Sequence, residues 1–269
     1  MRRLDLATAG VGIAALVVLV PKAFVPDASV YRDVLTDLTL LRLGAVAKIF
    51  FLGSATVFAH RTASAFEAGN PARLAWRLLG IGLLGFLLGQ GYLAFFQFVL
   101  GQPSPYPSPA DAGFIAGYPF LLAAFWSFIR AYRASGLPVG SARQHLLLAL
   151  AATLAFVAIG TVALAPALAA SAPPLEKALN TAYPAFDFLI LIPLLILLRI
   201  TVAFRGGRVW TIWAALLAGF VSMCAGDILY AHFSTLGQAW LEPILDALFV
   251  LAYILMAQAT MKQFEAVRP

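Results

Sequence analysis

Long runs of apolar residues are the feature that most constrains how this chain can fold. Of its 269 residues, 62% are hydrophobic and only 11% are charged, whereas soluble domains average about 45–50% apolar and about 25% charged residues. So few charges cannot cover a water-exposed surface. Each run is also long enough to cross the hydrocarbon core of a bilayer as a helix of about 20 residues. The sequence therefore predicts an all-α, polytopic membrane protein.

Arg, Pro and Gly residues separate the apolar runs into eight predicted transmembrane helices. The predicted helices cover residues 5–24, 39–60, 74–100, 111–133, 144–168, 178–203, 208–234 and 241–263. We interpret the first as a retained helix and not as a signal peptide, because no convincing small-residue cleavage site follows it. A short interfacial helix is expected within residues 27–37. Residues 1–269 are thus predicted to form one membrane-embedded domain.

Lys and Arg residues are distributed very unequally between the two sides of this topology. Four lie on one side, namely Lys22, Arg32, Arg42 and Lys177. Thirteen lie on the other, namely Arg2, Arg3, Arg61, Arg73, Arg77, Arg130, Arg133, Arg143, Arg199, Arg205, Arg208, Lys262 and Arg268. We predict a protein of the cytoplasmic (inner) membrane of a prokaryote, and the positive-inside rule places both of its termini in the cytoplasm. The basic pI is then explained by the Lys and Arg residues that orient the helices in the membrane, and no nucleic-acid partner is expected.

Similar segments recur along the chain at a nearly constant distance. Residues 89–96 (GQGYLAFF) resemble residues 226–233 (GDILYAHF), and residues 111–118 (DAGFIAGY) resemble residues 246–253 (DALFVLAY), at offsets of 137 and 135. The rare polar positions match, which apolar composition alone does not explain. We interpret this as a tandem duplication of a four-helix unit, with repeat one at about 1–135 and repeat two at about 140–269. Two such units would be related by an axis along the membrane normal.

Polar residues inside the predicted helices indicate a pocket in the outer half of the bundle. Ionisable groups in a bilayer are costly and normally face a partner or a cavity. Helix rise places Lys48, Gln90, Asp187 and Asp227 at a similar depth, as a polar floor. Asp111, Tyr118, Asp246 and Tyr253 are predicted at the mouth. Helical spacing puts Tyr183 on the face of Asp187 and Tyr230 on the face of Asp227.

Structural roles for the same residues are the alternative interpretation. Lys48 and Asp187 would form a buried ion pair, and Asp111 and Asp246 would cap their helices. Asp227 has no capping role and would be bonded, in its protonated form, to a neighbouring helix. His60, His145 and His232 are interpreted as helix-end residues, so no metal site and no cofactor are predicted.

The run Tyr106-Pro107-Ser108-Pro109-Ala110-Asp111 and the following Gly117-Tyr118-Pro119 resemble a recurrent membrane segment of bacterial and archaeal signalling proteins. Those proteins carry a seven- or eight-helix region ahead of a diguanylate cyclase or histidine kinase domain. The later runs at Tyr183-Pro184, Gly226-Asp227 and Asp246 are similar to the same family. The resemblance implies a sensing role, which in this chain would require a separate signalling partner protein.

A second resemblance is to the eight-helix lysoplasmalogenases, which hydrolyse the vinyl ether bond of lysoplasmalogens. It is carried by Lys48, by the Gly226-Asp227 pair and by Tyr253 with the following Ala257-Gln258. This resemblance implies that Asp187 and Asp227 would be the catalytic acid and base, acting on a water molecule and a lipid ether.

Three functions therefore remain open from the sequence. The favoured hypothesis is a binding or sensing module that holds a small or lipid-like ligand, with membrane lipids as its surroundings. The alternatives are an intramembrane lipid hydrolase that uses the same acids, and a proton-coupled transporter of small molecules. Parallel repeats with paired intramembrane charges are typical of such transporters.

Overall fold

A computed structural model describes residues 28–236 and 241–268, together with residues 10, 13–14, 17–18 and 22. The side chains of residues 32, 203 and 242–244 are not described. Within these limits the fold is entirely helical. The predicted first transmembrane helix at 5–24 lies largely outside the described residues.

Seven of the helices are long and apolar enough to cross a membrane. In chain order the helices are α1 Ser29–Asp33, α2 Asp37–Ala65, α3 Pro71–Phe95, α4 Ala110–Ala134, α5 Ala142–Ala163, α6 Ala165–Ala169, α7 Pro174–Ile200, α8 Arg208–Thr235 and α9 Glu242–Val267. A π-helical turn, Phe96–Leu100, continues α3, and a 3₁₀ turn, Thr201–Phe204, follows α7. Helices α1 and α6 are too short to span. The prediction of an all-α multi-pass membrane protein is confirmed, and α1 is the short helix expected within residues 27–37.

Six of the long helices form a closed ring. Around the ring α2 packs on α3, α3 on α4, α4 on α7, α7 on α8, α8 on α9, and α9 again on α2. Consecutive long helices run in opposite directions, so α2, α4, α7 and α9 all begin at the end of the bundle that holds the proline-rich loop 101–109. The opposite end carries most of the arginines. We call these the loop end and the arginine end.

Helix α5 lies outside this ring. It contacts α7 and α8 only lightly, and none of its residues is buried. At its start the Arg199 guanidinium donates to Gln144 Oε1 over 2.7 Å, and at its end His232 bonds to the carbonyl of Ala163. An apolar helix without a protein-covered face is suited to lipid, where hydrocarbon solvates its side chains.

Small residues bring neighbouring helices of the ring unusually close together. A Cβ added to Gly85 of α3 would lie only 2.9 Å from the carbonyl oxygen of Gly113 in α4. Between α8 and α9, the Ser222 hydroxyl donates to the carbonyl of Leu248 over 2.8 Å. Such contacts let backbones approach closely, which is how helices associate where no hydrophobic driving force acts between them.

The three histidines lie near helix ends, as predicted. His60 bonds to the carbonyl of Thr56 near the end of α2, and His145 bonds to the carbonyl of Val139 near the start of α5. His232 lies in the last turn of α8. Each histidine bonds to a different backbone carbonyl, and the three lie far apart along the chain. Their roles are therefore local and structural.

Candidate functional site

A polar cavity opens into the ring at its loop end. Its volume is about 170 Å³, slightly larger than the roughly 150 Å³ cavities that accept a benzene molecule. Side chains from all six ring helices line it, and residues 103–108 of the proline-rich loop form its roof. The ring supplies the walls because six helices around one axis leave a space that their side chains fill only partly.

The structure brings the predicted site residues together. Nine of the ten line the cavity directly, namely Lys48, Gln90, Asp111, Tyr118, Tyr183, Asp227, Tyr230, Asp246 and Tyr253. Asp187 is the tenth. It is fully buried and lies behind the wall, beside Asp227.

Two carboxyl groups and a tyrosine form the deepest part of the site. The Tyr118 hydroxyl of α4 donates to Asp187 Oδ1 of α7 over 2.7 Å. The carboxyl group of Asp227 on α8 lies next to that of Asp187. Asp187 Oδ2 has no hydrogen-bond partner among the described residues. Two adjacent carboxylates removed from water repel each other and are poorly solvated, so the pair requires either a proton or a cation.

Lys48 pairs with Asp246, and the alternative of an ion pair with Asp187 is wrong. The Lys48 ammonium donates to Asp246 Oδ1, and both residues are buried. The ring order gives the reason: α2 packs against α3 and α9, whereas α7 packs against α4 and α8. Gly44, one turn before Lys48, makes room for the Asp246 carboxylate, because any Cβ at Gly44 would overlap it.

Hydrogen bonds of Asp111 and Tyr106 connect the roof to the ring. Asp111 accepts from the Ser108 amide over 2.6 Å and from the Tyr183 hydroxyl over 2.5 Å. The Tyr106 hydroxyl donates to Asn180 Oδ1 over 2.7 Å. Burial, and then the charge of Asp111, raises the pKa of Tyr106 well above its usual value. Its phenol therefore remains a hydrogen-bond donor throughout the physiological pH range.

Several residues lie at a different depth or have a different role from that predicted. Tyr118 and Tyr253 are 1% and 2% exposed, and their hydroxyls contact Asp187 and Gln90, so both belong to the floor. Asp246 is the fifth residue of α9 and bonds to Lys48, so it does not cap its helix. Asp111 is the second residue of α4, and the amide that it accepts from, that of Ser108, precedes the helix.

Other lining residues were missed by the sequence analysis. Tyr106 and Asn180 close the roof, and Phe114 and Phe249 form part of the wall. A signal for the two phenylalanines was present, because each lies three residues after an aspartate in the similar segments 111–118 and 246–253. Asn180 lies three residues before Tyr183 and seven before Asp187 on α7, so helical spacing could have revealed it. Tyr106 lies in a loop and is not part of a helical pattern.

No group of three potential metal ligands occurs among the described residues. The cavity is lined by acids, tyrosines and one ion pair. Such a lining suits the binding of a polar organic group or the transfer of a proton. No protein-family model, no curated protein and no solved structure matches the chain. Function must therefore be argued from the site alone.

Replacing Asp111 with alanine is expected to loosen the roof. The change leaves the Ser108 amide and the Tyr183 hydroxyl without their acceptor, and hydrogen bonds to a charged group each contribute about 1.5–3 kcal/mol. We expect a loss of about 3 kcal/mol in the free energy of unfolding in detergent, the lower end of the range for two such bonds. The control is Asp33→Ala at the exposed end of α1. Equal stability of the two variants would show that Asp111 does not hold the roof.

Proposed function

We propose that the chain is a membrane-embedded ligand-binding module that works as a sensor, with the cavity as its ligand site. The observation that supports it is the convergence of rare polar residues from all six ring helices on one cavity. Charges in a membrane interior are costly. A purely structural role would need them as isolated pairs, whereas Asp227 lines the cavity and the charged group beside it is a second acid, Asp187. Signalling would then pass through a separate partner protein.

We also propose that the chain is a tandem duplication of a four-helix unit, which gives eight transmembrane helices, with the cavity on the axis that relates the halves. Equivalent contacts support this. Gly89 meets Phe114 and Gly226 meets Phe249, at offsets of 137 and 135 residues. A second pair of contacts shows the same offsets: Gly82 lies against Leu121, and Gly219 lies against Met256. The same offsets also relate the contact of Gly85 with Gly113 to that of Ser222 with Leu248.

The surplus of arginines at one end supports an orientation in the cytoplasmic membrane of a prokaryote. With that end in the cytoplasm, both termini would be cytoplasmic and the cavity would open outward. A ligand would then reach the cavity from outside the cell or from the outer leaflet.

A lipid hydrolase is the second candidate, and one observation favours it. Asp187 and Asp227 lie side by side, and two carboxyls whose surroundings differ can act as acid and base. Asp187 is fully buried and bonded to Tyr118, whereas Asp227 is only partly buried and faces the cavity. Asp227 would then activate water at the lipid ether. Such an enzyme would release an aldehyde from a lysoplasmalogen, and Asp227→Asn would still bind the lipid without converting it.

Native mass spectrometry of the gently purified protein, compared with Asp227→Asn, tests the proposal. We expect one compound bound at about one per chain in the wild type, and at least about tenfold less in the variant, because the variant loses a charge-assisted contact. The control is Glu67→Gln, which removes one exposed acid from the arginine end. A wild-type protein that carries no specific compound, or carries one that Asp227→Asn retains fully, would contradict the proposal.

A further inference from the structure

The cavity is lined by more acidic than basic side chains. Among the described residues that line it, Lys48 is the only base, and it is bonded to Asp246. Asp111 uses both of its oxygens for the Ser108 amide and the Tyr183 hydroxyl. Asp227, with Asp187 behind it, is left without a basic partner in the part of the chain that the structure describes.

The floor also lacks hydrogen-bond donors. Tyr118 satisfies one oxygen of Asp187, but Asp187 Oδ2 and Gln90 Oε1 are buried without a partner among the described residues. Buried polar groups are almost always hydrogen-bonded in native proteins. Both unpaired atoms are acceptors, so the floor lacks a hydrogen-bond donor. The neighbouring carboxyl groups of Asp187 and Asp227 favour a donor that carries positive charge.

Aromatic rings enclose the same space. Five tyrosines line the cavity, namely Tyr106, Tyr118, Tyr183, Tyr230 and Tyr253, and three phenylalanines accompany them, namely Phe86, Phe114 and Phe249. The π face of an aromatic ring attracts a cation, and this attraction grows when the cation is removed from water. The rings also offer apolar surface, which a bare metal ion could not use. The absence of any three-ligand metal cluster among the described residues points the same way.

We infer that the ligand is a small organic cation, whose charged nitrogen lies against Asp227, with Asp187 behind it, and whose apolar part lies against the tyrosine and phenylalanine rings. This inference rests on the proposed function and names the ligand class of that site. The volume of about 170 Å³ suits a molecule of about the size of a benzene ring with a short amine-bearing chain. An alternative occupant of the carboxyl pair is a shared proton, which would leave the site without selectivity for charge.

Three probes of nearly equal size separate these possibilities. Benzylammonium carries a positive charge, benzyl alcohol is its neutral counterpart, and benzoate is negative. Each is titrated calorimetrically into the full chain in detergent, with a titration into detergent alone subtracted. We expect benzylammonium to bind at least about tenfold more tightly than benzyl alcohol, because it adds a charge-assisted contact, and we expect no binding of benzoate.

Variants then assign the selectivity to the carboxyl pair. In Asp227→Asn the preference for benzylammonium over benzyl alcohol should disappear, whereas Glu67→Gln should behave like the wild type. The comparison of the three probes uses the wild type alone, so it remains decisive even if Asp227→Asn does not fold. Equal binding of benzylammonium and benzyl alcohol, or undiminished benzylammonium binding by Asp227→Asn, would overturn the cation inference but leave the cavity as a ligand site. If none of the probes bound and native mass spectrometry found no compound, the proposed function itself would fail.

Discussion

Replacing Asp246 with alanine is expected to lower the free energy of unfolding by about 3–5 kcal/mol, which is the usual cost of breaking a buried ion pair by removing one partner. The change leaves the buried Lys48 ammonium without its carboxylate. Lys48→Met should cost a similar amount, because it leaves Asp246 unpaired. The double variant Lys48→Met with Asp246→Ala removes both charges and should recover most of the loss.

Cys224 provides the measurement. It is the only cysteine of the chain and is buried among Leu164, Ala167, Ile228 and Ala231, so a maleimide should react with it only after the bundle opens. The rate of labelling during heating in detergent then reports unfolding. Glu67→Ala at the exposed arginine end serves as the control for loss of an acid. If Asp246→Ala were labelled no faster than this control, the pair would not stabilise the bundle.

Replacing Gly85 with leucine is expected to separate α3 from α4. A Cβ at Gly85 would lie 2.9 Å from the carbonyl oxygen of Gly113 and 3.1 Å from the Cα of Gly117. Both are backbone atoms and cannot move aside as a flexible side chain can. Overpacking commonly costs about 1–3 kcal/mol, and this site lies at the upper end because a whole helix must shift. We expect strongly reduced folded yield and faster labelling of Cys224.

The matched control is Gly91→Leu in the same helix, since a Cβ at Gly91 meets nothing within 4 Å. Similar yields for the two variants would mean that α3 and α4 do not approach as closely as described. Ser222→Leu extends the test to the other half. It adds bulk where α8 meets Leu248 of α9, so under the proposed duplication it should resemble Gly85→Leu.

The sequence was sufficient for the seven membrane-spanning helices that the structure describes and for nine of the residues that line the cavity. Apolar runs of this length have few other ways to satisfy their backbone hydrogen bonds in lipid. A costly residue such as Asp227, within such a run, requires a partner or a cavity. Helical spacing then assigns Tyr230 and Tyr183 to the same faces as the acids.

The sequence was not sufficient to predict which side chains pair with each other, or how deep each polar side chain lies in the bundle. The alternative pairing of Lys48 with Asp187 rests on the similar depth of the two residues. The partner of Lys48 depends on which helices are neighbours in the ring, and helix order around a ring is not encoded in local spacing. Tyr118 is predicted at the mouth together with Asp111, which lies seven residues before it on the same helix face. The roof loop lies above that point and covers it, and the path of a loop does not follow from helical periodicity.

The exposed helix α5 has a consequence for chain topology. A unit of three antiparallel helices ends on the opposite side of the membrane from where it begins. If α7 followed α4 directly, the second triplet would enter the bilayer upside down relative to the first. Helix α5 returns the chain to the loop end, so that α7–α9 start on the same side as α2–α4. Helix α5 thus serves to make the number of crossings between α4 and α7 odd. For this it has only to be long enough to span the membrane and apolar enough to lie in lipid, while the other six long helices form the ring.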